Sequence, residues 1–181
     1  RQHFIQYDEL IIALGQESNL NIVPGLANNA FTMRNLNDAY NLRNHVIRCL
    51  ELADVTLDLS LKKRLLSFVV VGGGFSGVET IGELKEMIDR LIKYYRNISK
   101  NEIRFYLIEY ASRLLPELEE EIGLYTLQTL KKQNIKIFLN TKLREVSSMR
   151  AYINNNKSIE SNTIISTIGS TASKLLKNTE L

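Results

Sequence analysis

At 181 residues with 44% hydrophobic content, the chain can bury one good core and a fraction of a second, so one main domain with an appendage is expected. Its 23 basic and 20 acidic residues are spread along the whole length and leave a net charge of +3, without the concentrated basic stripe that a nucleic-acid backbone requires. The single cysteine, Cys49, excludes an internal disulfide, a Cys-x-x-Cys redox pair and a zinc cluster, and no apolar run approaches the ~18–20 residues needed to span a bilayer. No signal-peptide pattern is present, so a reducing, cytoplasmic setting with at most peripheral membrane contact is the expectation. Beginning on Arg1 and closing on a polar stretch, the sequence reads as an excerpt.

In chain order, His3 to Gly15 contains the apolar run Leu10–Leu14, which reads as a buried strand stopped by Gly15. A polar stretch with a Pro24-Gly25 turn and several asparagines follows as a surface linker. Ala39, Leu42, Val46, Ile47 and Leu50 then recur at helical spacing, predicting a helix from Asn37 to about Ala53 capped by Asn37 or Asp38. Phe68–Val71 is a β-branched apolar strand, and from Ser76 the apolar residues Val78, Ile81, Leu84, Met87, Ile88 and Leu91 trace one helical face continued to Tyr95. Ile103–Ile108 gives a second strand, Glu119–Gln133 a helix, and Ile135–Leu139 a third strand. Lys142–Ser148, Ala151–Ile153 and Ser158–Asn162, parted by the turn residues Asn154–Lys157, suggest a small antiparallel meander. Thr163–Ile168 is again an apolar strand stopped by Gly169. Apolar strands alternating with helices predict an α/β fold: a Rossmann-like, doubly wound parallel sheet carrying a small antiparallel meander.

Gly72-x-Gly74-x-x-Gly77 stands directly after a predicted strand and opens a predicted helix, the context that gives this pattern its meaning. Gly72 permits the sharp turn, Gly74 lets the main chain approach a diphosphate, and Gly77 lets the helix sit tightly against the strand. Unpaired N–H groups at the helix start, reinforced by the helix dipole, suit negative phosphates. The whole segment Gly72, Gly73, Gly74, Phe75, Ser76 and Gly77 is therefore the candidate dinucleotide site. An acid at the end of the next strand is the second mark of such a site, because it accepts hydrogen bonds from the adenosine ribose. Glu109 stands there, 32 residues past Gly77 rather than the usual ~20, which calls for an intervening helix longer by about three turns. An acid at this place repels the 2′-phosphate of NADP and favours NAD(H). Glu79 and Glu83 both suit the positive end of the helix; Glu79, nearer the loop, is the candidate to face the nicotinamide. His3 and His45 read as structural or exposed, Cys49 as core, and no residue is assigned as a general acid, a general base or a metal ligand.

Several stretches together resemble the flavoprotein oxidoreductases with two dinucleotide-binding domains, and within them the type II NADH:quinone dehydrogenases. LLSFVVVGGGFSGVETIGEL (residues 65–84) carries the most specific likeness, and YLIEYASRLLPELEEEIGLYTLQTLKKQNIKIFLNTKLREV (106–146) continues it. YDELIIALG (7–15) is similar to the strand closing the first half of the family's FAD domain, IVPG with MRNLNDAYNLR (22–43) to the linking segment, and STIGSTASKLL (166–176) to the return toward that domain. The long helix before Glu109 and the missing Cys-x-x-Cys resemble the quinone-reducing branch.

The resemblance implies four parts: residues 1–15 as a remnant of the FAD domain, 16–64 as a linker with its helix, 65–168 as the NAD(H)-binding domain, and 169–181 as the return segment. It implies that Gly72, Gly74 and Gly77 hold the diphosphate of NAD(H), Glu109 the ribose, and Glu79 and Gly169 lie near the nicotinamide. Gly169 departs from the Ala-Gly context common in the family, being preceded by Thr167-Ile168. The implied enzyme is an FAD-dependent, non-proton-pumping NADH dehydrogenase, in which NADH passes a hydride to FAD and electrons go on to a quinone at the membrane surface. The chain alone would then be inactive, with the FAD domain of the same polypeptide as its partner and self-pairing through its exposed apolar edge as a hazard. Two other readings stay open: a flavin reductase acting on sulfide or on a small redox protein, and a stand-alone NAD(H)-sensing module.

Overall fold

In the computed structural model, which describes residues 3–154, 156–173 and 176, regular structure begins at Gln16. The strand expected within His3–Gly15 is not formed: Leu10, Ile11, Ile12 and Leu14 all lie exposed, and no strand of the described residues pairs with them. An apolar run becomes a strand only where a neighbouring backbone completes its hydrogen bonds and a second layer covers its side chains.

From there the elements follow as β1 (Gln16–Ser18), α1 (Leu26–Asn29), β2 (Phe31–Thr32), α2 (Leu36–Val55), α3 (Leu59–Leu65), β3 (Ser67–Val71), α4 (Phe75–Leu91), β4 (Arg104–Ile108), α5 (Glu120–Lys132), β5 (Ile135–Phe138), β6 (Leu143–Ser147), β7 (Arg150–Ile153), β8 (Ser158–Glu160), β9 (Thr163–Ser166) and β10 (Ser170–Ala172). The fold is α/β, with a five-stranded sheet in the order β2-β9-β3-β4-β5 whose neighbours are all parallel. β6, β7 and β8 form the expected antiparallel meander. β1 and β10 form a separate antiparallel ribbon that local patterning did not announce. Of the return segment 169–181, only 169–173 and 176 are described, and Asn155 of the meander turn also lies outside the described residues.

The strand period of two decides which layer each side chain joins. Phe68, Val70, Phe105, Leu107, Ile135 and Ile165 point to one face, where they pack with Val46 and Leu50 of α2, Ile81 and Ile88 of α4, and Leu130 of α5. Val69, Val71, Ile108 and Ile164 point to the other face and meet Leu26 of α1 with Val146, Ala151 and Ile159 of the meander. The long helices thus cover one face, while α1 and the meander cover the other. Each side chain buried in this way contributes about 1.5–3 kcal/mol, which is why the continuous apolar run of β3 is tolerated at the middle of the sheet.

Boundaries differ from expectation where side chains compete for backbone. The α2 cap is Asn35, whose side chain accepts the Asp38 amide at 2.9 Å, and not Asn37 or Asp38. Asp38 is occupied instead by the Thr32 hydroxyl and the Arg34 amide, both at 2.9 Å, tying the helix start to β2. α3, capped by Asp58 at the amides of Ser60 and Leu61, fills the end of the segment read as linker. With Leu65 and several α2 residues it shares the main core. The extra length before Glu109 is divided between α4, a 3-10 turn at Ile92–Tyr94 and a second at Lys100–Glu102, rather than lying in one long helix.

Candidate functional site

The turn from β3 into α4 is built by crossing contacts. Gly72 adopts φ +109°, a conformation that side chains rarely permit, while its amide donates to Ile108 O at 2.9 Å and so extends the ladder to β4. Gly77 passes so close to this turn that a Cβ there would lie 1.8 Å from Gly72 O. The strand and helix therefore approach as the glycine pattern requires. Thr167, beyond the end of β9, closes the other side: its hydroxyl donates to Val71 O at 2.9 Å and fills the space where a Gly72 side chain would stand.

Gly74 faces a different environment. The nearest atom to a Cβ there is Glu117 Oε1 at 3.5 Å, an ordinary contact, so the main chain at Gly74 stays approachable. α4 begins at this residue without any side-chain cap, and the first helical amides, those of Phe75, Ser76 and Gly77, have no carbonyl one turn earlier to accept them. Phe75 and Ser76 are exposed. Open amides at the positive end of a 17-residue helix form a cradle for an anion.

Glu109 stands immediately after β4 and is half-buried. Its Oε2 accepts the Gly73 amide and its Oε1 accepts the Ala111 amide at 2.6 Å. The carboxylate thus braces the glycine turn. Each oxygen has a second lone-pair site for a ligand hydroxyl. The loop after it folds back over the turn, with Leu115 N–H donating to Gly73 O at 2.9 Å and Leu114 buried against Gly73. Glu109, Gly72, Val71, Ile108 and Lys142 line a cleft of about 380 Å³ at the carboxyl ends of β3 and β4, where open parallel sheets bind ligands.

The other candidates lie elsewhere. Glu79 and Glu83, both exposed, line a second cleft of about 520 Å³ between α2 and α4 with Leu42, Arg43 and Ser76. The first cleft meets the glycine turn at Gly72 and the second at Ser76, so an elongated ligand crossing the turn reaches from Glu109 toward Glu79. Gly169, at φ +80°, makes the crossing to the β1–β10 ribbon, where Asn19 O would stand 2.5 Å from a Cβ. Its neighbour Ile168 lines the Glu109 cleft. His45 and Cys49 are remote from the turn: His45 Nε2 lies 2.9 Å from Thr163 Oγ1 and 3.3 Å from Cys49 Sγ. Burial holds the His45 imidazole below its ordinary range, with Arg48 adding to the effect, and burial pushes the Cys49 thiol up. A thiol so placed is a packing group. Thr167, Glu117 and Lys142 were not visible to motif reading, because each reaches the site through a contact between segments distant in sequence.

Comparison with known proteins gives concordant findings. A model of the pyridine nucleotide-disulphide oxidoreductase family matches residues 1–181. Over 141 residues, 77% of this chain and 30% of the relative, the sequence is 33% identical to the type II NADH:quinone oxidoreductase NdhA of Mycobacterium tuberculosis. It is 32% identical over 143 residues, 78% of this chain and 24% of the relative, to the mitochondrial external alternative NADH-ubiquinone oxidoreductase of Yarrowia lipolytica. Among solved structures, NDH2 from Plasmodium falciparum in complex with NADH superposes with a TM-score of 0.86 and 26% identity, covering 96% of this chain and 36% of that one. The chain spans well under half the length of each of these relatives.

Proposed function

Because this chain belongs to the pyridine nucleotide-disulphide oxidoreductase family, we propose that it is the NAD(H)-binding portion of a flavoprotein NADH dehydrogenase that passes a hydride from NADH to FAD and electrons on to a quinone. Residues 65–168 act as the nucleotide-binding domain, 1–15 as a remnant of the FAD domain, 16–64 as the linker with its helices, and 169–181 as the return segment. The observation that carries this reading is the open main chain at Gly74 beside a Glu109 carboxylate already fixed by two amides.

The site residues take their roles from that geometry. The amides of Gly74, Phe75, Ser76 and Gly77 hold the diphosphate, Gly72 and Gly73 shape the turn, and Glu109 accepts the ribose hydroxyls. Glu79, in the second cleft, stands at the end left for the nicotinamide, while Gly169 takes its nicotinamide role from the family resemblance alone, its neighbour Ile168 lining the Glu109 cleft. A relative solved in complex with NADH, superposing over 96% of this chain, supports the choice of nucleotide. The residues fit the nucleotide, since among the glycines of the turn (Gly72, Gly73, Gly74 and Gly77) the one whose side is open, Gly74, is the one the diphosphate must approach. FAD, when bound to the longer protein, supplies the hydride acceptor; this chain's task is to bind and orient the donor. In the longer protein the FAD domain is the partner, attachment is peripheral on the inner face of the membrane, and the exposed apolar segment of residues 3–14 lets the isolated chain pair with itself. No helix of the described residues is long and apolar enough to cross a membrane.

Calorimetric titration tests the reading. NADH binds, NADPH binds more weakly, and Glu109→Ala weakens NADH by about tenfold through loss of charge-assisted hydrogen bonds worth ~1.5–3 kcal/mol. Failure to bind NADH, or indifference to the Glu109 substitution, would sink it.

A further inference from the structure

The cleft that holds Glu109 also holds a cation. Lys142 lines it from the loop after β5, and the backbone there is tied on two sides. Thr141 N–H donates to Glu109 O at 2.9 Å and Asn140 N–H to Ala111 O at 2.9 Å, joining this loop to the one after β4. From the meander, Asn154 accepts the Lys142 amide at 3.1 Å and donates its own amide to Asn140 O at 3.0 Å. Lys142 is thus presented from a fixed point. Its side chain is exposed, and it forms no ion pair with Glu109 or with any other carboxylate of the described residues.

The two charged groups of the cleft differ in how far they are committed. Glu109 has each oxygen engaged by a main-chain amide, whereas the Lys142 ammonium has no counter-anion among the described residues. A sugar seated in this cleft meets a hydroxyl acceptor in Glu109 and shares the cleft with the uncompensated cation of Lys142. A phosphate on that sugar is repelled by the first and attracted by the second.

Building on the proposed role of Glu109, we propose that Lys142 is a specificity-determining residue which holds the 2′-phosphate of NADPH, so that Glu109 discriminates against that nucleotide only in part. Lys142 then controls the ratio of the two affinities without controlling NADH binding itself.

Titration of this chain with NADH and with NADPH, in the parent and in Lys142→Gln, reads that ratio directly. Lys142→Gln is expected to weaken NADPH about fivefold while NADH stays within about twofold, the effect of removing one partly exposed charge contact. Lys142→Arg keeps NADPH binding. Glu109→Gln strengthens NADPH, and adding Lys142→Gln to it removes part of that gain. An unmoved ratio in Lys142→Gln, or an equal loss for both nucleotides, overturns the inference while leaving the NADH site standing. Absence of binding by either nucleotide to the parent chain overturns both.

Discussion

Two apolar runs of similar length meet opposite fates in this chain. Phe68–Val71 is wholly buried in the middle of a parallel sheet, whereas Leu10–Leu14 lies open, with Ile11 89% exposed. Composition does not separate them; their surroundings do. β3 has β4 and β9 as ladder partners and a layer on each face, and the earlier run has neither among the described residues. Apolarity nominates a strand, and only a partner backbone with a covering layer makes one.

The sharpest way to break this contrast is a matched pair of truncations. Leu107→Ala, at a fully buried position next to β3, is expected to cost about 3 kcal/mol by leaving a cavity in the helix-side core. Ile11→Ala is expected to stay within ~0.5 kcal/mol. Urea unfolding of the two variants beside the parent chain decides it, and a cost at Ile11 comparable to that at Leu107 would mean that the N-terminal run is covered in solution. Size-exclusion chromatography gives the companion result. Self-association that falls in Ile11→Lys identifies the covering surface as a second copy, and a clean monomer at every concentration removes the self-pairing reading.

A smaller effect is expected on the covered side, at His45. Its imidazole touches Thr163 and stacks obliquely on Phe31 at 4.5 Å, and burial keeps its folded pKa below the ordinary 6.5. The neutral form is therefore the one the fold prefers. The stability this lends is present in full above pH 6.5 and is lost as the pH falls from there through the lowered folded value. Thermal unfolding followed between about pH 7.5 and pH 5 should show a steeper fall for the parent than for His45→Gln. Parallel curves would assign the acid sensitivity to the carboxylates alone.

The same contrast explains what could be read from residues alone. Four strands of the main sheet were legible because runs such as SFVVV, RFYLI and TIIS are short, apolar and bounded by turn or helix signals, the meander because turn residues part its segments, and the glycine turn because its spacing lies within one strand–helix unit; the edge strand β2, two residues long, carries no such signal. The β1–β10 ribbon was not. Its strands are three residues each, polar, and separated by most of the chain, so no local period marks them. The α2 cap was misplaced because Asp38, a good cap in isolation, is engaged by Thr32 and Arg34. At the site, Gly72 and Glu109 follow from motif and strand-end position, while Thr167, Lys142 and Glu117 arrive from distant segments.

Glu117 offers the finest test, because it is an exposed side chain in the covered region whose influence is electrostatic. Its loop is held by Arg113 donating to Pro116 O at 2.7 Å and by Leu118 N–H donating to Leu115 O at 2.9 Å. Those bonds keep its carboxylate beside Gly74. A diphosphate on the amides of Gly74 to Gly77 then feels a fixed anion nearby, and the repulsion opposes the attraction of the helix dipole. Glu117→Gln removes the charge and keeps the shape. NADH is expected to bind about twofold tighter at low salt, the scale of one exposed charge interaction. The gain should shrink as salt shortens the screening length from roughly 10 Å at 0.1 M to roughly 3 Å at 1 M. A gain that persists at high salt would trace to loop geometry, and weaker binding in Glu117→Gln would turn the carboxylate from a repelling neighbour into a ligand of the nucleotide.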